Sequence, residues 1–241
     1  MSNDDQLRAL EQKIEKLTAQ IGILEDTNAV RHLQYKYGYY LDKCLYDEVV
    51  DLFTDDCEAH FVGGIFRGKS SVRRLYCDRF RARFTGGHNG PLPGFLLDHM
   101  MLQDIIDVTP DRKLAYARMR VFMQAGRHHD YADETHPMRQ WWEGSLYENT
   151  YAKEGGIWKM KVLNYRPVWH ADFDKGWAFT PPDYVKFYTQ TYPEDPIGPD
   201  ELEQPRPPLW PATDVLPFHY PHPVTGKQVK LDPPQKLAQK A

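Results

Sequence analysis

With 241 residues, 41% of them hydrophobic, and a formal charge of -4 at neutral pH, the chain has apolar surface for one domain of roughly 150 residues plus extensions. It carries no global basic field for nucleic acid, its apolar runs fall far short of the roughly 20 residues of a membrane span, and its first residues lack the basic and apolar parts of a secretion signal. The expectation is therefore a cytoplasmic protein with neither nucleic acid nor membrane as a partner. Cys44, Cys57 and Cys77 are odd in number and lack C-x-x-C spacing, which predicts reduced, buried thiols and no cysteine-based zinc site.

In residues 1–24, Leu7, Leu10, Ile14, Leu17, Ile21 and Leu24 recur three and four apart, the pattern of a coiled-coil seam or of a helix docked on its own body. Isoleucine at a positions with leucine at d leans toward parallel self-association, a dimer or trimer. The next segment, Asn28 to Ser71, predicts a long amphipathic helix with Val30, Leu33, Tyr37, Leu41, Val49, Leu52 and Phe53 on its buried face. Asp55 and Asp56 are expected to end that helix, and Glu58 to Val62 reads as a strand.

A second helix starting near Ser71 carries Arg73, Arg74, Arg79, Arg81 and Arg83, expected to form a solvated face. Four strands follow, Phe95 to Val108, Leu114 to Ala125, Gln140 to Tyr151 and Trp158 to Tyr165, joined by short turns that favour an antiparallel meander. Helices first and strands after predict an α+β fold. The body is expected to span residues 25–177. In residues 178–241 the composition changes, since fourteen of the nineteen prolines lie from Pro181 onward. The aromatic residues Tyr184, Phe187, Tyr188, Tyr192, Trp210, Phe218 and Tyr220 there are too apolar for a solvated linker, so the tail is expected to be extended and to wrap the body or a neighbouring subunit.

Gly63-Gly64-Ile65-Phe66-Arg67-Gly68-Lys69-Ser70 matches the phosphate-loop pattern in full. The chain lacks the βαβ series that such a loop serves, so a strand, tight turn and helix start is the preferred interpretation, with nucleotide binding as the lesser alternative. Gly126 to His136 is rich in metal-ligand residue types but lacks a helical histidine pair, and no metal is assigned. Ser145 is mid-strand and outside a nucleophile elbow. Asp42, among helical aromatics, and His99, on an apolar strand, remain. If they pair, the carboxylate orients the imidazole for general acid-base work.

Several features in order resemble the nuclear-transport-factor-2-like superfamily in its SnoaL-like and scytalone-dehydratase branch. They are Tyr40-Leu41-Asp42, Asp47, Leu52-Phe53-Thr54-Asp55-Asp56, Gly64 to Gly68 before a helix, His99 opening a strand, Gly156 to Met160, and Trp169-His170-Ala171-Asp172-Phe173. The resemblance implies a cone, a curved antiparallel sheet closed by helices over an apolar pocket, with an N-terminal helix and a Pro-rich C-terminal extension attached. It matches Asp42 and His99 to an acid-base pair. Other catalytic positions of the dehydratase appear here as Leu41, Phe61, Met123 and Tyr147. Tyr40 is added as a proton carrier, and Tyr39, Phe61, Met123, Trp142, Tyr147 and Trp169 are assigned to substrate contacts. On the Leu114 to Ala125 strand the resemblance puts Met123 inside, leaving Arg118 and Arg120 for an interface. The tail also resembles that of cofactor-free lyases that deformylate lignin-derived diarylpropanes. The implied function is a cofactor-independent lyase releasing water or formaldehyde from a hydroxylated aromatic molecule. The alternative is a binder, isomerase or cyclase of a hydrophobic aromatic ligand.

Overall fold

The computed structural model describes residues 2–231. Its first element, α1 (Asn3–Asp42), is one helix of 40 residues, about 60 Å long at 1.5 Å per residue. The heptad segment and the aromatic segment are thus a single rod. Ser2 and Asp5 close a capping box at its start. Over the first half Leu7, Leu10, Ile14, Leu17, Ile21 and Leu24 are exposed, whereas Val30, Leu33, Tyr37 and Leu41 are buried in the body. The helix does not continue to Phe53 as its apolar spacing suggests. Cys44 adopts a left-handed φ of 53°, the Leu45 amide closes onto the Tyr40 carbonyl at 2.9 Å, and a short α2 (Tyr46–Asp51) follows in a new direction. Asp55 and Asp56 therefore lie inside β1 (Phe53–Phe61) and do not end a helix.

Asp26 anchors α1 where it passes from free to packed. Its buried carboxylate accepts from Arg112 Nε at 2.5 Å, Lys153 Nζ at 2.6 Å and Trp158 Nε1 at 2.9 Å. Gly22, one turn earlier, lets Arg112 cross the helix, since a Cβ there would sit 2.1 Å from the guanidinium. Burial by itself would raise the Asp26 carboxyl, but the three donors outweigh it and hold the group at about 2. A depressed carboxyl stabilises the fold in its ionised form, here by roughly 2 kcal/mol, fully present above pH about 4 and lost as pH falls toward about 2. Asp26→Asn is expected to cost about 2 kcal/mol at neutral pH and to remove that acid dependence. An unchanged urea midpoint at pH 7 would contradict this role.

The described strands form one sheet in the order β3-β4-β5-β6-β1-β2-β7. β3 (Phe95–Val108), β4 (Leu114–Arg127), β5 (Arg139–Glu154) and β6 (Ile157–Asp172) make the antiparallel meander expected from their short turns. β1 joins β6 in parallel, so the sheet is mixed at that one seam. β2 (Gly64–Arg67) pairs with β1 and with the two-residue β7 (Glu201–Leu202). α3 (Gly68–Arg73), a π-helical turn at Arg74–Phe80 and α4 (Arg81–Thr85) then run on as one helical stretch.

This geometry overturns the nucleotide alternative. Gly64–Arg67 is a paired strand, the Arg67 amide donates to Asp200 Oδ2 at 2.7 Å, and Lys69 Nζ lies 3.9 Å from Asp51. A phosphate cradle needs those amides free. The tail packs on its own body. The Tyr188, Asp200 and Glu203 amides donate to the carbonyls of Val62, Ile65 and Gly63, and farther on Arg118 donates to the Leu216 and Pro217 carbonyls beneath the ring of Phe218. Residues 232–241 of the expected tail lie outside the described residues. No helix among the described residues is long and apolar enough to cross a membrane.

Candidate active site

A cavity of about 360 Å³ lies between the meander, α1, the π-helical turn and the tail. Side chains alternate along a strand, so cross-strand partners share a face. His99 on β3 stands opposite Met123 on β4, Met123 opposite Glu143 on β5, and Glu143 opposite His170 on β6. All four line the cavity. At about 4.8 Å per strand the row spans roughly 14 Å along the sheet, with an imidazole at each end.

Each imidazole is paired with its own carboxylate. Asp42, the last residue of α1, places Oδ1 2.6 Å from His99 Nδ1, and both its oxygens accept from the His99 amide at 3.1 Å. A carboxylate at a helix C-terminus is disfavoured by the helix dipole, and these contacts from β3 offset that cost. They fix the ring with Nδ1 toward Asp42, leaving Nε2 for the cavity. At the other end His170 Nε2 lies 2.7 Å from Glu143 Oε2, close enough for charge pairing although the approach is off-line for a well-aligned hydrogen bond. Glu143 also accepts from Ser145 Oγ at 3.1 Å and from the Tyr165 hydroxyl. Burial would raise the Glu143 carboxyl; the charges of His170 and His99 and the bond from Ser145 prevail and hold it below its ordinary value.

Three phenols stand over the row. Tyr37 and Tyr76 hydroxyls are 2.9 Å apart, and the Tyr37 ring meets Tyr147 edge-on at 5.9 Å. Burial, partly offset by hydrogen bonds, pushes the Tyr37 phenol up to about 12, and burial drives Tyr76 and Tyr147 well above their ordinary value. All three stay protonated near neutral pH, so each keeps an O–H that can donate a hydrogen bond.

Among the residues expected from sequence, Asp42 and His99 meet, and Phe61, Met123 and Tyr147 line the cavity. The others lie elsewhere. Tyr39 is 73% exposed and lines a separate cleft beside Asp42 and residues 98–102 of β3, not this cavity. Tyr40 is half-buried against the core and does not line the cavity. Trp142 is an odd number of residues from Tyr147 and so points to the opposite face, where it stacks on Phe173 at 5.0 Å. Trp169 is displaced by a bulge. Ser145 pairs with Pro167 but Gly144 with Trp169, so one extra residue enters β6 and the alternation reverses. Trp169 then covers Gly144 on the outer face, where a Cβ would meet its indole at 2.2 Å, and His170 turns inward. The inward Glu143 follows from the parity of Tyr147 alone; His170 could not be placed without the bulge. His128, His129 and Asp130 bring ligand atoms within 4.8 Å of one another in an exposed turn outside this cavity.

A cone of curved sheet and helices around a cavity of this kind is the nuclear-transport-factor-2-like fold. The chain belongs to the SnoaL-like domain family, whose model matches residues 22–164. By sequence, no curated protein matches it. Among solved structures it is similar to a provisionally assigned scytalone dehydratase from Novosphingobium aromaticivorans, with 22% identity and a TM-score of 0.51 over 64% of this chain and 91% of that one. It is also similar to the hexachlorocyclohexane dehydrochlorinase LinA-type3 from Novosphingobium barchaimii, with 17% identity and a TM-score of 0.51 over 68% and 99%. At these identities the likeness is one of fold.

Proposed function

We propose that the chain is a cofactor-independent lyase that eliminates water or formaldehyde from a hydroxylated aromatic small molecule, possessing one base and one acid on opposite sides of an apolar slot. The observation that carries this is the single row His99, Met123, Glu143, His170, with a carboxylate on each imidazole. Elimination needs a proton removed at one atom and delivered at another, and a substrate lying over Met123 has an imidazole on either side. For a diaryl 1,3-diol the electrons balance without a redox partner. The base takes the proton of the terminal CH2–OH, the C–C bond breaks to give formaldehyde, and its electron pair forms the new C=C. In the same movement the benzylic C–O bond breaks, its pair leaving with the oxygen, which the acid protonates to water. The dehydratase and dehydrochlorinase names of the structural neighbours are both of elimination chemistry. The test is a screen of aryl-glycerol and diarylpropane diols without added cofactor, reading formaldehyde and the absorbance of the new alkene. Ligands that bind yet are never consumed would favour the alternative, a binding protein, which the apolar Met123 at the centre of the row also suits.

The exposed stripe on α1 is assigned to a second copy of this chain. Its six leucines and isoleucines keep a and d spacing over three heptads while standing clear of the body, which suits a parallel coiled coil of two or three chains. Light scattering of the protein is expected to give a multiple of 28.2 kDa, and Leu10→Glu with Leu17→Glu to reduce it. A monomeric protein at tens of micromolar would refute the assignment.

A further inference from the structure

The mouth of the cavity differs in charge from its floor and from the rest of the molecule. Arg79, Arg83 and Arg139 converge there, with Lys186 of the tail, in a chain whose net charge is -4. Two of these cations are already answered. Arg79 lies 3.4 Å from Asp195 and under the Tyr188 ring, and Lys186 is 2.7 Å from Asp183. Arg83 and Arg139 are not, since among the described residues no carboxylate oxygen lies within 4.0 Å of either.

Among the described residues Arg139 reaches a carboxylate only through Tyr184, whose hydroxyl donates to Asp172 Oδ1 at 2.7 Å. Arg139 stacks on Trp141 with 4.7 Å to the ring centre and donates one N–H to the Tyr184 hydroxyl at 2.8 Å. Stacking holds the guanidinium plane and leaves its remaining edge N–H groups directed outward from the ring. Arg83 is crowded by protein yet open to solvent at the rim. That crowding first, and then the charges of Arg79 and Arg139, make its protonated form less favourable than in water. Like charges gathered without a counterion are unfavourable, whereas two guanidinium forks facing one opening suit a carboxylate, which each can grip through two N–H bonds.

We propose that Arg83 and Arg139 form a carboxylate-binding subsite at the cavity mouth, so that the substrate is a hydroxylated aromatic acid with its carboxylate at the rim and its reacting end over His99, Met123 and His170. The second half of that statement rests on the lyase reading; the subsite itself does not. Tyr184 belongs to the tail and bonds Arg139, so the tail helps to hold the subsite in place.

The test is calorimetry on the full-length protein with 4-hydroxycinnamate, its neutral amide, and inorganic phosphate. The acid is expected to bind at least about tenfold tighter than the amide, because charged hydrogen bonds of this kind contribute on that scale. Arg83→Gln with Arg139→Gln should abolish the difference. Raising the salt should shrink it, since the rim is open to ions. Equal affinities, no affinity for either aromatic compound, or a preference that survives the double substitution overturns the subsite. Phosphate binding that leaves the acid undisturbed also overturns it, as an anion site unrelated to substrate. Retained preference with no turnover of any aromatic acid would leave the subsite standing and remove the lyase reading, so the two fail separately.

Discussion

His99→Ala is expected to lower kcat/KM for the elimination by about 10³-fold, and Asp42→Asn by about 10²-fold, within the range that a positioned acid or base supplies. In the proposed elimination the imidazole acts through the nitrogen that Asp42 leaves free, because Nδ1 is held at 2.6 Å from the carboxylate and the backbone amide of His99 locks the same oxygens. Asparagine keeps the size of Asp42 but can present its amide N–H to Nδ1, which favours the wrong tautomer. Since the two residues work as a unit, the double variant should be scarcely worse than His99→Ala. Thermal unfolding of each variant serves as the control for folding. Turnover within a few-fold of the parent in both single variants, with folding intact, would remove the pair from the chemistry.

Much of this couple was legible in the sequence because it depends on element order, which local patterns carry well. Asp42 closes the aromatic stretch of α1 and His99 falls near the start of the first long strand, so any cone that lays α1 across the meander brings them together. The limits of the first helix were less legible. Leu45, Val49, Leu52 and Phe53 continue the apolar spacing of α1 through a break made by the left-handed backbone of Cys44, a residue type that does not advertise such a turn. The second couple was hidden for a different reason. Trp169 and His170 are adjacent, and only the extra residue in β6 decides which of them faces the cavity. A bulge of that kind depends on the strand opposite, and Gly144 supplies the space it needs for Trp169 on the outer face. Local alternation selects the tryptophan; the sheet selects the histidine.

Glu143→Gln tests whether the hidden couple takes part in the reaction. The carboxylate is buried, paired with His170 at 2.7 Å, and reached by Ser145 and Tyr165. Because His170 and His99 hold it below its ordinary value, it is ionised through the neutral range. Its contribution to stability is present above the usual carboxylate range, near pH about 4 to 5, and is lost as pH falls through the depressed value. Glutamine preserves the volume and the acceptor for Tyr165 but withdraws the charge 2.7 Å from His170 Nε2. If His170 delivers the proton to the departing oxygen, kcat should fall by about 10² to 10³-fold while KM changes little, because the lost interaction matters most as that oxygen gains charge. Tyr165→Phe, which removes a hydrogen bond to the same carboxylate without removing its charge, should cost far less. A scaffold role alone predicts a different result, in which both variants lose stability in proportion and kcat in the folded fraction is unchanged. Equal kcat values for Glu143→Gln and the parent would leave His99 as the sole acid-base group, and the departing oxygen would then have to take its proton from Tyr37 or Tyr147, whose phenols burial keeps protonated.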